Sequence, residues 1–144
     1  MTEIRPFRLS DFESVVDMYY DFIMEIYPNR KTGDKYFFYK AVERWINQKA
    51  DIVVSLVNEE TSGFSMCYLD DFGGLTEAIY QCDTCYVKDS FRNGRSAYML
   101  YNNGYSYAKD NSLTISVGAR VEYGVNKLVA DHFDLIETFK TYEG

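Results

Sequence analysis

From Tyr86 to Leu100 the chain reads Y-V-K-D-S-F-R-N-G-R-S-A-Y-M-L, a strand-like run that passes through a glycine-containing turn into helical spacing. Such a junction makes an anion site. The first-turn N–H groups of a helix have no intrahelical partners and lie at the positive end of its dipole, so they can grip a phosphate without any side chain. Gly94, Ser96 and Ala97 are small enough to let a phosphate come close, Asn93 lies in the same turn, and Arg92 and Arg95 add positive charge beside it.

Other groups with chemical potential read more plainly. Cys82 and Cys85 form a C-x-x-C, a redox or metal spacing. They fall in a strand-like stretch, where a spacing of three is expected to turn side chains to opposite faces, so neither chemistry is expected. With Cys67 the cysteines number three, an odd count that points to free thiols in a reducing compartment. Asp70 and Asp71, with Glu77, lack calcium-loop spacing and read as a solvated turn, so no metal is expected. His132 is the single histidine; it can serve as a base near neutral pH, but at a helix end it reads first as a C-terminal cap.

The elements that must position these groups follow from periodicity. Glu3 to Leu9 is extended, and Ser10-Asp11-Phe12-Glu13 has the form of a capping box. Phe12, Val15, Val16, Tyr19, Phe22, Ile23 and Ile26 then make one helical stripe that ends near Tyr27-Pro28. Gly33-Asp34 opens a second helix that closes at Lys49-Ala50. Asp51 to Val57 and Gly63 to Leu69 are strands joined by a polar turn from Asn58 to Ser62, and Ala78 to Val87 is a long strand. Helical spacing returns from Phe91 to Lys109, Leu113 to Val117 is a strand, Glu122 to Asp131 a short helix, and Phe133 to Tyr142 a closing extended segment. The order β-α-α-β-β-β-α-β-α-β, with no internal repeat or linker, predicts one α/β domain over residues 1–144: a central mixed sheet of about six to seven strands with helices on both faces.

Composition removes several classes of function. A net charge of −7 argues against binding nucleic acid, whose recognition depends on clustered Lys and Arg. No run approaches the roughly 18 apolar residues of a membrane span, and no basic start precedes an apolar segment, so a cytoplasmic protein is expected. Aromatic residues make up 17% of the chain, with 14 Tyr and 10 Phe, enough for broad aromatic faces that pack a core or line a pocket.

The Tyr86–Leu100 segment resembles the acetyl-CoA motif of the GNAT superfamily, V-x-P-x-[YF]-R-[GN]-x-G-x-[GA] with a Leu three residues on. Val87, Phe91, Arg92, Asn93, Ala97 and Leu100 fall on it without gaps. The opening I-R-P-x-R-x-x-D-F, from Ile4 to Phe12, and the close around Phe133 with a Tyr-containing last strand are also similar to that family, so the resemblance covers essentially the whole chain. Its compactness resembles divergent members found in phages. Arg95 stands where the family's central Gly lies, and can compensate with a charge-assisted contact.

The resemblance implies the GNAT fold and an N-acetyltransferase that moves the acetyl group of acetyl-CoA to a primary amine by direct attack in a ternary complex, without metal. Acetyl-CoA would lie with its pantetheine arm along the backbone of Cys85, Tyr86 and Val87 and its pyrophosphate on Arg92 to Ala97. The base would come from the fourth strand, four or six residues before Val87, at Asp83 or Gln81, with Asp83 the better candidate; its other reading is a solvated strand carboxylate. Many members carry a Tyr that protonates the leaving thiolate. Counting back from His132 puts Leu128 there, or Val129 if a residue is deleted, and neither donates a proton, which leaves Tyr123 as the nearest substitute acid. The acceptor would enter near Tyr27 to Asp34, Tyr68 to Gly74 and Tyr142. The aromatic and acidic mixture there suits a cationic amine, whether a small molecule, a lysine side chain or a protein N-terminus. A homodimer is compatible with this reading. The alternative is a GNAT-like domain with weak or no catalysis that acts as an interaction or virion-associated protein.

Overall fold

The apolar stripe that begins at Phe12 forms helix α1 (Phe12–Ile26), which buries Val15, Val16 and Met18. Its start differs from the expected Ser10–Glu13 box. A single 3-10 turn at Leu9–Asp11 precedes it, and Asp11 is the anchor. The Asp11 carboxylate accepts from the Arg8 backbone N–H at 2.8 Å and from both arms of the Arg5 guanidinium at 2.6 and 2.9 Å. A bidentate, charge-assisted pair outcompetes a serine hydroxyl as the local organiser. Helix α2 (Lys35–Asn47) is capped by Asp34, which accepts from the Tyr36 N–H at 3.0 Å, and is closed by Lys49 in the left-handed region at φ 58°.

The computed structural model describes residues 1–28, 33–70 and 78–117. Within them the strands are β1 (Thr2–Pro6), β2 (Asp51–Val57), β3 (Glu60–Asp70), β4 (Ile79–Val87) and β5 (Thr114–Val117), and the third helix is α3 (Ser96–Asp110). They form one mixed sheet in the order β1-β2-β3-β4-β5, antiparallel up to β4, with β5 parallel to β4. The described sheet thus has five strands against the six to seven expected; the expected helix at 122–131 and last strand at 133–142 lie outside the described residues. The β2–β3 turn is tighter than expected. Asn58 and Glu59, at φ 50° and 71°, make a two-residue connection, so β3 starts at Glu60.

Alternation along the strands divides the core in two. Ile52, Val54, Leu56, Phe64, Met66 and Tyr86 pack with α1 and α2 on one face, around a fully buried Phe64. Burying a side chain of that size stabilises by about 1.5–3 kcal/mol. Cys67, Tyr80 and Cys82 pack with Tyr101 and Ala108 of α3 on the other face. Helices therefore cover both faces, as expected.

Two bulges interrupt the ladder. Between β2 and β3 the register runs from Ser55↔Gly63 to Leu56↔Thr61, leaving Ser62 as the extra residue. Between β3 and β4 it runs from Met66↔Thr84 to Cys67↔Cys82, leaving Asp83 as the extra residue. A bulge re-aims side chains and changes which ones share a face. Cys82 lies under Gly104 and Cys85 is bonded to Tyr101, both residues of α3. The expectation that Cys82 and Cys85 point to opposite faces is therefore overturned, because the residue inserted at Asp83 restores them to the same side.

Candidate functional site

The turn that carries the motif lies where β4 ends. After Val87 the chain makes a 3-10 turn at Asp89–Phe91, and α3 begins only at Ser96, five residues later than helical spacing from Phe91 suggests. Arg92 to Arg95 are consequently an exposed turn rather than the first turn of the helix. The first i→i−4 bond of α3 runs from the Met99 N–H to the Arg95 carbonyl at 3.0 Å. The N–H groups of Arg95, Ser96 and Ala97 precede that bond, at the positive end of the helix, and the Arg95 side chain does not cap them.

Each motif side chain has a definite place. The Arg92 guanidinium forks onto Glu25, near the end of α1, at 2.7 and 2.6 Å, and its Nε donates to the Val87 carbonyl at 2.8 Å. It also lies 5.5 Å from the centre of the Tyr86 ring, which in turn meets Phe22 of α1 edge-on. Arg95 sits 5.9 Å from the Tyr98 ring. A side chain on Gly94 would meet only the Phe91 carbonyl, at 3.5 Å, so the space above the turn is open. Asn93 is exposed.

Ser96 faces inward. It is fully buried, and its hydroxyl lies 2.8 Å from that of Ser62, which lies 2.8 Å from that of Ser55. The bulge at Ser62 aims its hydroxyl at the start of α3. The same residue's carbonyl accepts from the Lys88 N–H at 2.8 Å, so one residue holds both sides of the turn. Gly63 beside it lets β3 approach β4 closely, since a Cβ there would come within 2.5 Å of the Tyr86 carbonyl.

Among the described residues β5 pairs with the first part of β4, from Ile79↔Thr114 to Cys82↔Val117. Thr84, Cys85, Tyr86 and Val87 pair with β3 on one edge, and among the described residues they have no registered partner on the other. Tyr86 and Val87 are buried and Cys85 half-buried, its thiol pushed up to about 12 by burial. A strand edge that no neighbouring strand covers offers backbone N–H and C=O groups to an extended ligand.

Asp83 lies at the bulge next to that edge. Desolvation raises its carboxyl above the ordinary value, opposed by the Thr84 hydroxyl, which donates to it at 3.5 Å. The residue as a whole remains exposed, so the carboxylate stays reachable. Its charge acts on the Tyr19 phenol, placing it toward the α1 side of the sheet. Gln81, the other base candidate, is half-buried and pairs with Tyr68. Of the expected acceptor region the structure describes Tyr27, Pro28, Gly33, Asp34 and Tyr68 to Asp70, with Tyr68 and Leu69 exposed. Tyr123, Leu128, Val129, His132 and Tyr142, with Asp71 and Glu77, lie outside the described residues. Among the described residues no group of His, Cys, Asp and Glu is arranged to hold a metal. A separate cavity of about 480 Å³, lined by Arg5, Asp51, Tyr80 and Tyr107 among others, touches neither Asp83 nor the Arg92–Ala97 turn.

Sequence reasoning missed Glu25, Ser55 and Ser62. An acidic residue at the end of a helix and two serines in strands carry no local signal, because their partners are up to 67 residues away.

No family model and no curated protein matches the chain. Solved structures do. A predicted acetyltransferase from Clostridium acetobutylicum, determined with acetyl-CoA, is 12% identical and superposes with a TM-score of 0.77 over 97% of this chain and 94% of its own. A ribosomal-protein-alanine N-acetyltransferase from Brucella melitensis biovar Abortus 2308 is 17% identical, with a TM-score of 0.74 over 99% and 96%. An aminoglycoside acetyltransferase from an uncultured soil metagenomic sample, determined with sisomicin, is 12% identical, with a TM-score of 0.72 over 98% and 93%. The strand order, the helices on both faces and these superpositions over nearly the whole chain together give the chain the GNAT fold.

Proposed function

We propose that the chain is an N-acetyltransferase that binds acetyl-CoA along β4 at Cys85–Val87 and over the Arg92–Ala97 turn, and passes the acetyl group to a cationic primary amine. The observation that carries the reading is the junction itself. A strand edge at Cys85 and Tyr86, which no described strand covers, leads through the Arg92–Arg95 turn directly into the N-terminus of α3, which suits an extended amide-bearing arm ending in a pyrophosphate. Several neighbours of the same fold are described as acetyltransferases, one determined with acetyl-CoA and an aminoglycoside acetyltransferase determined with sisomicin.

In this reading Asp83 takes a proton from the incoming ammonium, directly or through water, and the freed amine attacks the thioester carbonyl. A carboxyl raised above its usual value is a better match to that task than an ordinary one. The tetrahedral intermediate collapses with loss of the CoA thiolate, which takes a proton from Tyr123 or from water. Tyr68, Leu69 and Asp70, which pair with Gln81, Tyr80 and Ile79 further along β4 from Asp83, supply an aromatic and acidic approach for a cation. The protein acts in the cytoplasm, on a small-molecule amine or on a protein lysine or N-terminus, with neither nucleic acid nor membrane as partner, alone or as a homodimer.

A second reading, a cofactor-binding or interaction domain without turnover, draws on Arg95 at the motif's glycine position and on an Arg92 fork already filled by Glu25. Incubation with acetyl-CoA and a panel of polyamines, aminoglycosides and peptides, read by the mass gain of the amine, separates the two. An acetylated product absent with Asp83→Asn supports the enzyme. Tight acetyl-CoA binding with no acetylated product across the panel supports the second.

A further inference from the structure

Cys67 and Cys82 are direct partners across β3 and β4, and their sulfurs lie 3.1 Å apart, with the Cys67 thiol donating to Cys82. All three cysteines are free. Facing residues of an antiparallel pair have Cα atoms about 4.5–5.5 Å apart, inside the range of about 4.4–6.8 Å that disulfides span. Closure therefore needs almost no backbone movement. Gly104 of α3 presses on the pair, since a Cβ there would lie 2.9 Å from the Cys82 sulfur and 3.8 Å from that of Cys67. Nothing in the proposed acetyl transfer uses these thiols.

We infer that Cys67 and Cys82 form an oxidation site, a cross-strand dithiol that a small hydroperoxide converts to a disulfide. The pair is buried, at 4% and 6% exposed, so a small hydroperoxide is the oxidant the site would take. Cys82, the sulfur that accepts the hydrogen bond from Cys67, attacks as its thiolate. That thiolate attacks one peroxide oxygen, the O–O bond breaks, and the departing oxygen leaves as the alcohol, or as water from hydrogen peroxide, giving a Cys82 sulfenic acid. Cys67 then attacks the Cys82 sulfur, and its proton leaves with the hydroxyl as water. In sum, two thiols and one hydroperoxide give a disulfide, an alcohol and water. The link forms one register step from the bulge at Asp83 and ties β3 to β4 there. Cys85, on the same face and bonded to Tyr101, stays reduced.

The test exposes the reduced full chain to hydrogen peroxide, alkylates it with iodoacetamide in denaturant and maps the peptides by mass. A Cys67–Cys82 peptide that dithiothreitol separates, with Cys85 alkylated, is expected. In Cys67→Ala the link is lost and dimedone captures Cys82. Alkylation of both Cys67 and Cys82, at a dose that fully oxidises a free cysteine peptide, overturns the inference, as does a link through Cys85. The wild-type map decides even if Cys67→Ala does not fold, and it requires no acetyl transfer.

Discussion

The guanidinium of Arg92 and the carboxylate of Glu25 meet in a two-point fork that fastens the end of α1 to the turn between β4 and α3. Arg92 is therefore a strut before it is an anion contact. Its Nε bond to the Val87 carbonyl and its position over Tyr86 fix the turn against the strand that leads into it. Glu25→Gln should weaken acetyl-CoA binding by about three- to tenfold while leaving the fold intact, in keeping with a partly exposed pair worth about 1 kcal/mol. Arg92→Lys should behave similarly, since an ammonium cannot make the fork. Calorimetric affinities of the two variants check this; wild-type affinity in both would remove the strut from the binding site.

Asp83→Asn should lower the acetylation rate by about a hundredfold or more and leave acetyl-CoA affinity within about twofold. Because the folded protein raises this carboxyl, its charge is a small liability to stability, so the amide should melt no lower than wild type at neutral pH. A rate within about twofold of wild type would take Asp83 out of the mechanism.

The pH profile follows from the same shift. A base acts deprotonated, and the Asp83 carboxyl gains its proton at a pH above the ordinary carboxylate value, so kcat/KM should fall as pH is lowered through that raised value. The acid limb should vanish in Asp83→Asn, read from initial rates across the acid range. A limb of unchanged position in the variant would assign it to another group.

Stability should depend on pH in the opposite way at Asp11. The Arg5 guanidinium holds its carboxyl below the ordinary value, so this contribution is complete above the unfolded pKa and is lost as pH falls through the lowered one. Asp11→Ala should cost about 2–3 kcal/mol at pH 7, measured by urea unfolding, and the variant should lose less stability than wild type on acidification. Equal acid sensitivity in both would contradict the assignment.

Ser62→Ala should cost about 1–3 kcal/mol, because it strips both Ser55 and Ser96 of a buried partner. Acetyl-CoA affinity should fall with it, as the start of α3 loses its anchor. Denaturant unfolding and calorimetry on the same variant check both parts; an unchanged affinity would confine the serine chain to stability.

The periodic elements were legible from the sequence because local spacing dictates them. The stripe from Phe12 to Ile26 and the β-branched run from Asp51 to Val57 both appear as read. The glycine-bearing turn into α3 was equally plain, while its length was not, since the 3-10 turn at Asp89–Phe91 continues the helical spacing without the helix. Bulges were invisible. One extra residue at Asp83 reversed the faces of Cys82 and Cys85, and no local pattern marks such an insertion. Asp11 overrode Ser10 for a related reason, as its strength comes from Arg5 on another element.

The central claim is that the β4–α3 junction holds acetyl-CoA, and calorimetric titration of acetyl-CoA into the purified chain, beside an Arg92→Ala, Arg95→Ala double variant, tests it most directly. Micromolar binding that the double variant loses is the predicted result. No detectable heat with the wild-type chain, or equal affinity in both proteins, would contradict it.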